Sequence, residues 1–345
     1  MTNISRRGFL TVGAGAFMLP AVAAISDATD RTSRRKRINF KASIEDNLIN
    51  EYLQPTPLKL NVGAEKPFSA LHFSDTHISM ADPAELLSWT TKELNLYEAR
   101  NNGVFGKGGF PFAVQSLAAT IAYARKKGMM MLNTGDLFDF RSEMNVACIK
   151  RTFAGQNIFS ALGNHEGRGL HTGELNPRNR REDDELRAKF EDAIGNPLIL
   201  ASRVVNGVNF VAFDDTGLAR HCRNEQFKMM KAEFAKGLPT VLMCHMPPFS
   251  KELHEANCEH HRRKKQSLPK ENSLNSYYLM GEDYAKSRAP AVFRQMVDFL
   301  KCQKNLKAWL CGHLHFEWQG TFGDGVPVCV AGRNFNGECY DISFS

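Results

Sequence analysis

Five short clusters of carboxylate, amide and imidazole side chains run through this chain. They are Asp75-Thr76-His77, Gly135-Asp136-Leu137-Phe138-Asp139, Gly163-Asn164-His165-Glu166, His245, and Gly312-His313-Leu314-His315. Singly they say little, because a histidine after a strand is commonly a loop residue and Gly-Asp pairs are common in turns. The Gly-His-x-His spelling is rarer, with a chance expectation of about 0.03 in a chain of 345 residues holding 26 Gly and 11 His. Five of those 11 histidines fall inside the series. Aspartates, neutral imidazoles and one Asn amide oxygen suit borderline divalent or trivalent ions such as Mn, Fe or Zn. There are donors enough for two ions, which together can generate hydroxide at neutral pH and clamp an anionic substrate. A single structural zinc would leave too many donors unused.

The clusters need elements to position them. From Ser69 onward, short apolar runs alternate with helical patterns. Ala70–Phe73, Met129–Asn133, Asn157–Ala161, Val208–Phe213, Val241–Cys244 and Ala308–Cys311 read as strands. Ala113–Lys127, Asp184–Ile194, Glu225–Lys236 and Ala291–Lys304 read as helices, three of them followed by a stop glycine. This alternation predicts an α/β fold on largely parallel sheet. Five of the six strands run directly into one of the clusters, at the carboxyl ends where α/β sheets bind ligands. The sixth ends at Asp214-Asp215, which fits no ligand pattern. Trp318–Phe322, Val326–Ala331 and Tyr340–Phe344 read as hairpin strands around Gly323-Asp324-Gly325.

Read together, the five clusters resemble the calcineurin-like metallophosphoesterase superfamily, with its Asp-x-His, Gly-Asp-x-x-Asp, Gly-Asn-His-Asp/Glu, His and Gly-His-x-His motifs. The likeness spans roughly Ser69 to Trp318 and departs at no ligand position. It implies a four-layer α-β-β-α sandwich, two mixed sheets flanked by helices, with a dinuclear centre at the strand carboxyl ends. By resemblance, Asp75, His77 and His315 hold one metal; Asn164, His245 and His313 hold the other; and Asp136 bridges them. His165 is then the catalytic imidazole over the substrate, and Asp139 orients a histidine. The implied reaction is hydrolysis of a phosphoric mono- or diester by metal-bridging hydroxide, with His165 serving the departing alkoxide. Purple acid phosphatases differ, with Gly where His77 stands and a metal-binding Tyr where Asp139 stands. The Gly-Asp-Leu-Phe-Asp spelling also resembles the superfamily's exonucleases. An extracytoplasmic nuclease or a cyclic-nucleotide-type phosphodiesterase is therefore the alternative enzyme, and a non-catalytic partner-binding scaffold the alternative from another class.

The amino terminus reads as an address. Ser5-Arg6-Arg7-Gly8-Phe9-Leu10 leads a short Gly- and Ala-rich apolar stretch to Ala21-Val22-Ala23, resembling a twin-arginine export signal with a cleavage site. The expected organisation is a signal at 1–23, a polar basic lead-in at 24–68 and the catalytic domain at 69–345. The resemblance implies the twin-arginine translocation machinery as a partner and a periplasmic or extracellular location. No segment is apolar enough for a stable membrane span. Net charge is +7, but the runs Arg34–Arg37 and Arg262–Arg263-Lys264-Lys265 alone carry eight positive charges. The basicity is local, so nucleic acid is a possible partner that nothing indicates, and a small phosphate ester is the expected substrate.

Other features carry less chemistry. His254, Cys258, His260 and His261 lie in a basic insertion that reads as a solvated specificity loop, since their spacing matches no standard zinc pattern. Arg168 could reach a phosphate or sit on the surface. Gly103–Gly109 lacks the Walker spacing. Cys244, Cys311 and Cys329 read as buried small hydrophobes.

Overall fold

The computed structural model describes residues 44–106, 112–167, 180–217, 222–281 and 290–345. The twin-arginine segment, the Arg34–Arg37 run, Lys107 and Arg168 lie outside them. Two mixed sheets form the centre. The first has the order β1-β11-β2-β3-β4, with β1 Gln54–Leu60, β2 Phe68–Phe73, β3 Met130–Thr134, β4 Ile158–Ala161 and β11 Glu338–Phe344. The second has the order β5-β6-β7-β8-β10-β9, with β5 Leu200–Val205, β6 Val208–Phe213, β7 Thr240–Met243, β8 Leu306–Cys311, β9 Trp318–Phe322 and β10 Val326–Val330.

Strand periodicity builds the layers. Alternate side chains of a strand face opposite ways, and here both faces are apolar and covered. Val208, Phe210 and Ala212 of β6, Val241 and Met243 of β7, and Ala308 and Leu310 of β8 enter the core between the sheets, where Leu132, Phe159, Ile342 and Phe344 meet them. Their neighbours Val211, Phe213, Leu242, Trp309 and Cys311 face outward onto Met230, Phe234, Phe293, Met296 and Leu300. Those residues come from the helices Arg223–Ala235 and Ala291–Lys301. On the other side Leu71, Phe73 and Met131 pack against Leu117, Ile149 and Phe190, from the helices Phe112–Lys127, Glu143–Phe153 and Arg180–Ile194. The result is the expected four-layer α-β-β-α sandwich. Cys244, Cys311 and Cys329 are buried as expected.

The topology departs from expectation in three places. β11 does not join the β9–β10 hairpin; it crosses to the first sheet, between β1 (parallel) and β2 (antiparallel). Only β9 and β10 pair around Gly323–Gly325. The folded sheet also begins earlier than Ser69, because β1 comes from the segment read as a lead-in, and residues 44–52 before it are helical. Finally, the basic insertion is not a loop: Lys251–Arg263 is a helix capped by the Ser250 hydroxyl.

Phe344 shows what joins the sheets. Its ring stacks on Phe68 (5.0 Å) beside it and meets Phe210 of the opposite sheet edge-on (5.5 Å). Phe344→Ala would leave a cavity on the sandwich midline, and about 3–5 kcal/mol of stability should be lost. Urea denaturation, with the slope unchanged and the midpoint lowered, checks this.

Candidate metal centre

Parallel pairing places the site. β2, β3 and β4 run side by side in one sheet, and β7 and β8 in the other. All five expected clusters therefore emerge from carboxyl ends at one end of the sandwich. The loops there cross closely. A Cβ on Gly163 would lie 2.1 Å from the Asp136 backbone nitrogen, and one on Gly312 would lie 1.8 Å from the Ser74 hydroxyl. Among the described residues seven non-glycine residues have positive φ, and five are Asp75, His77, Asp136, His313 and His315. That backbone costs on the order of 1–3 kcal/mol per residue and persists only where the surroundings enforce it.

The side chains form two groups around a shared middle. In one, Asp75 Oδ1 lies 3.1 Å from His315 Nε2 and 3.7 Å from His77 Nε2, and the two Nε2 atoms are 3.0 Å apart. In the other, Asp136 Oδ2 lies 3.1 Å from His245 Nε2, which is 3.0 Å from His313 Nδ1. Asp136 Oδ2 also lies 3.6 Å from His77 Nε2, so this carboxylate reaches both groups. Asn164 is buried in the adjoining loop. The donors Asp75, His77 and His315, and separately Asp136, His245 and His313, each lie within 4.8 Å of one another. His77, Asp139 and His165 form a third such group.

The tautomers test whether cations fit. His245 Nδ1 lies 2.8 Å from the Thr134 carbonyl, and His313 Nε2 lies 2.7 Å from the Ser276 carbonyl. A carbonyl only accepts, so those nitrogens carry the hydrogens. The remaining nitrogens, His245 Nε2 and His313 Nδ1, then present lone pairs to each other at 3.0 Å. A proton on His245 Nε2, or a cation bound between the rings, accommodates that contact. Titration tells the same story. Burial disfavours charge at Asp136, yet the imidazoles of His245, His165 and His77 hold it well below the usual carboxylate range. Against its own burial, His77 is raised to about 9 by Asp139, Asp75 and Asp136. His245 is raised to about 10 by Asp136 and Asp75. Protonated imidazoles and bound cations can each neutralise these carboxylates, and the donor set suits Mn, Fe or Zn.

Three supporting residues escaped the sequence reading. Arg100, on the helix Thr91–Gly103, forms a two-pronged ion pair with Asp139 through Nε and Nη2. Asp139 in turn stands 3.3 Å from His165 Nδ1 and 3.7 Å from His77 Nδ1. Glu166, within the third cluster but given no role, accepts from the backbone N–H groups of Gly163 (2.7 Å), Leu137 (2.6 Å) and Asp136 (3.2 Å), tying two loops together. Burial and the nearby Asp136 raise Glu166 to about 7. Asp215 accepts from the Met246 N–H at 2.6 Å, fixing the backbone just past His245. His254 and Cys258 lie one helical turn apart (3.7 Å), and no described metal-type group includes them.

Because Arg100 fixes Asp139, Arg100→Ala should weaken metal binding about 10- to 100-fold, as loss of a ligand-orienting partner does. Arg100→Lys should recover part of it. Calorimetric titration with Mn²⁺ measures both.

The model of the family described as calcineurin-like phosphoesterase matches residues 68–317. Among curated proteins none matches the chain significantly. Similar solved structures include a dimetal phosphatase from Danio rerio (11% identity, 78% of this chain and 88% of that one, TM-score 0.43). YfkN from Bacillus subtilis, a calcineurin-like phosphoesterase, is another (13%, 78% and 82%, TM-score 0.35). A third is a Staphylococcus aureus protein assigned as a 5′-nucleotidase (12%, 78% and 49%, TM-score 0.42), of which this chain spans about half the length. The family match covers most of the chain and contains all five clusters, so the chain belongs to the calcineurin-like phosphoesterase family of hydrolases acting on phosphoric esters.

Proposed function

We propose that the protein is an exported dinuclear phosphoesterase acting on small phosphoric mono- or diesters. The observation that carries the reading is the pair of donor groups sharing Asp136. Asp75, His77 and His315 would hold one ion, and Asn164, His245 and His313 the other. Bound there, Mn, Fe or Zn ions supply Lewis acidity towards phosphate oxygens and activated water as nucleophile. The protein's own groups orient and exclude. Asp75 Oδ2 accepts from the His313 N–H at 2.8 Å, and Asp136 Oδ1 from the His165 N–H at 2.9 Å. Each carboxylate thus spends one oxygen on the backbone and turns the other inward.

His165 lies in the third donor group, beside His77 and Asp139. Its Nδ1 donates to the Asp139 carbonyl (2.6 Å), and its Nε2 lies 3.9 Å from Asp136 Oδ2. Its side chain is 17% exposed against 1% for Asp136, so it stands at the mouth of the site. From there Nε2 can hold the proton that a departing alkoxide needs. Export rests on the Ser5–Leu10 twin-arginine pattern. Among the described residues no helix is long and apolar enough to cross a membrane.

Turnover of a chromogenic phosphate monoester and its diester by Mn-reconstituted protein tests the reading. Asp136→Ala should lose metal and activity together. His165→Ala should keep two ions per chain by elemental analysis and lose about 10²- to 10⁴-fold in kcat; full turnover without His165 removes that assignment. Substituting lysine for both Arg6 and Arg7 should retain the protein in the cytoplasm, as read by fractionation, and unaltered export would refute the address.

A further inference from the structure

A cleft of about 580 Å³ opens beside the donor groups, with His313 and His315 in its wall. Its far lining carries basic side chains. His260 and His261 come from the helix Lys251–Arg263, Lys264 follows them, and Arg333 comes from the segment after β10. Among the described residues no carboxylate lines this cleft. Ring contacts trace its length: His261 stands 6.0 Å from Tyr277, and Tyr277 stands 6.3 Å from His313. His260 stacks on Phe316 (4.8 Å), the residue after His315.

The cations differ in how they are held. Glu338 grips Arg333 at Nε (3.2 Å) and Nη2 (2.6 Å), which fixes its guanidinium and offsets its charge. Lys264 is exposed, and its ammonium has no carboxylate partner among the described residues. Burial first, then Lys264, Arg333, His261 and His315, lower His260 and favour its neutral form, which can accept or donate one hydrogen bond. With Arg333 offset by Glu338, Lys264 carries the main positive charge of the cleft, which can stabilise an anion from outside.

We propose that this cleft carries a second anion subsite, centred on Lys264 with Arg333, His260 and His261, which takes a phosphate or carboxylate remote from the scissile ester. The inference rests on the phosphoesterase reading and narrows it to doubly anionic substrates. A substrate spanning both sites places its reacting phosphate at His313 and His315 and its second anion towards His261 and Lys264.

Three rigid probes test it on the Mn-reconstituted full chain: 4-carboxyphenyl phosphate, 1,4-phenylene bisphosphate and the neutral-tailed 4-carbamoylphenyl phosphate. The charged probes should show kcat/KM about tenfold above the amide, carried by KM, as a charge-assisted contact gives. In Lys264→Ala that ratio should fall towards one, and Lys264→Arg should restore it. Preference for both charged probes marks a general anion subsite, and preference for the bisphosphate alone marks a phosphate subsite. Equal turnover of all three, or a ratio unchanged in Lys264→Ala, overturns the subsite while leaving the phosphoesterase reading intact. If no probe turns over while the chromogenic diester does, the monoesterase reading fails; if neither turns over, the phosphoesterase reading fails. Calorimetry with 4-carboxyphenylphosphonate and its amide then decides the subsite by binding alone, with equal affinities overturning it.

Discussion

The structure is organised around buried charge. Asp75, Asp136 and Asp139 are buried within a few ångströms of one another's histidine partners, and the ring nitrogens of His245 and His313 face each other at 3.0 Å. Water screens charge poorly at this depth, so the buried carboxylates need positive charge beside them, from imidazolium groups or from bound cations. The contacts around it hold the donors in place. Glu166 ties the Asp136 and Gly163 loops through three backbone N–H groups, Asp215 anchors Met246, and Arg100 balances Asp139. The positive φ values at five donor residues record the same compression in the backbone.

The sandwich makes this compression affordable. The two sheets share a continuous apolar core, and their parallel strands end at the same edge. Gly163 and Gly312 let the crossing loops approach more closely than any side chain allows. The helix carrying Arg100 then leads into Phe105, which stacks on His77 at 4.9 Å and meets Phe335 edge-on at 5.1 Å. Binding, support and access are thus assigned to different segments: strand ends provide donors, the buried acids brace them, and the helix Lys251–Arg263 borders the entrance.

The donors were legible in the sequence because each sits next to a strand with a strong apolar run, so spelling and position reinforced each other. The parts that were not legible lack such local signals. β1 reads Gln-Pro-Thr-Pro-Leu-Lys-Leu, and its two prolines argue against a strand, yet it lies at a sheet edge where a missing N–H is tolerated. Tyr340–Phe344 looks like any strand, and nothing in it tells which sheet it joins. The helices Pro83–Ser88 and Thr91–Gly103 did leave a trace: Asp82 with Glu85 and Thr90 with Glu93 are capping boxes. The weak amphipathic pattern of Thr91–Gly103 gave no further helical signal. Arg100 has no motif at all, since its partner Asp139 lies 39 residues away.

The central claim is that the cluster is a site for two cations sharing Asp136. Anomalous diffraction from crystals of the full-length protein grown with Mn²⁺ tests it most directly. The account predicts two peaks, one among Asp75, His77 and His315, the other among Asp136, Asn164, His245 and His313. A single peak, or a principal peak within the group His77, Asp139 and His165, would contradict it.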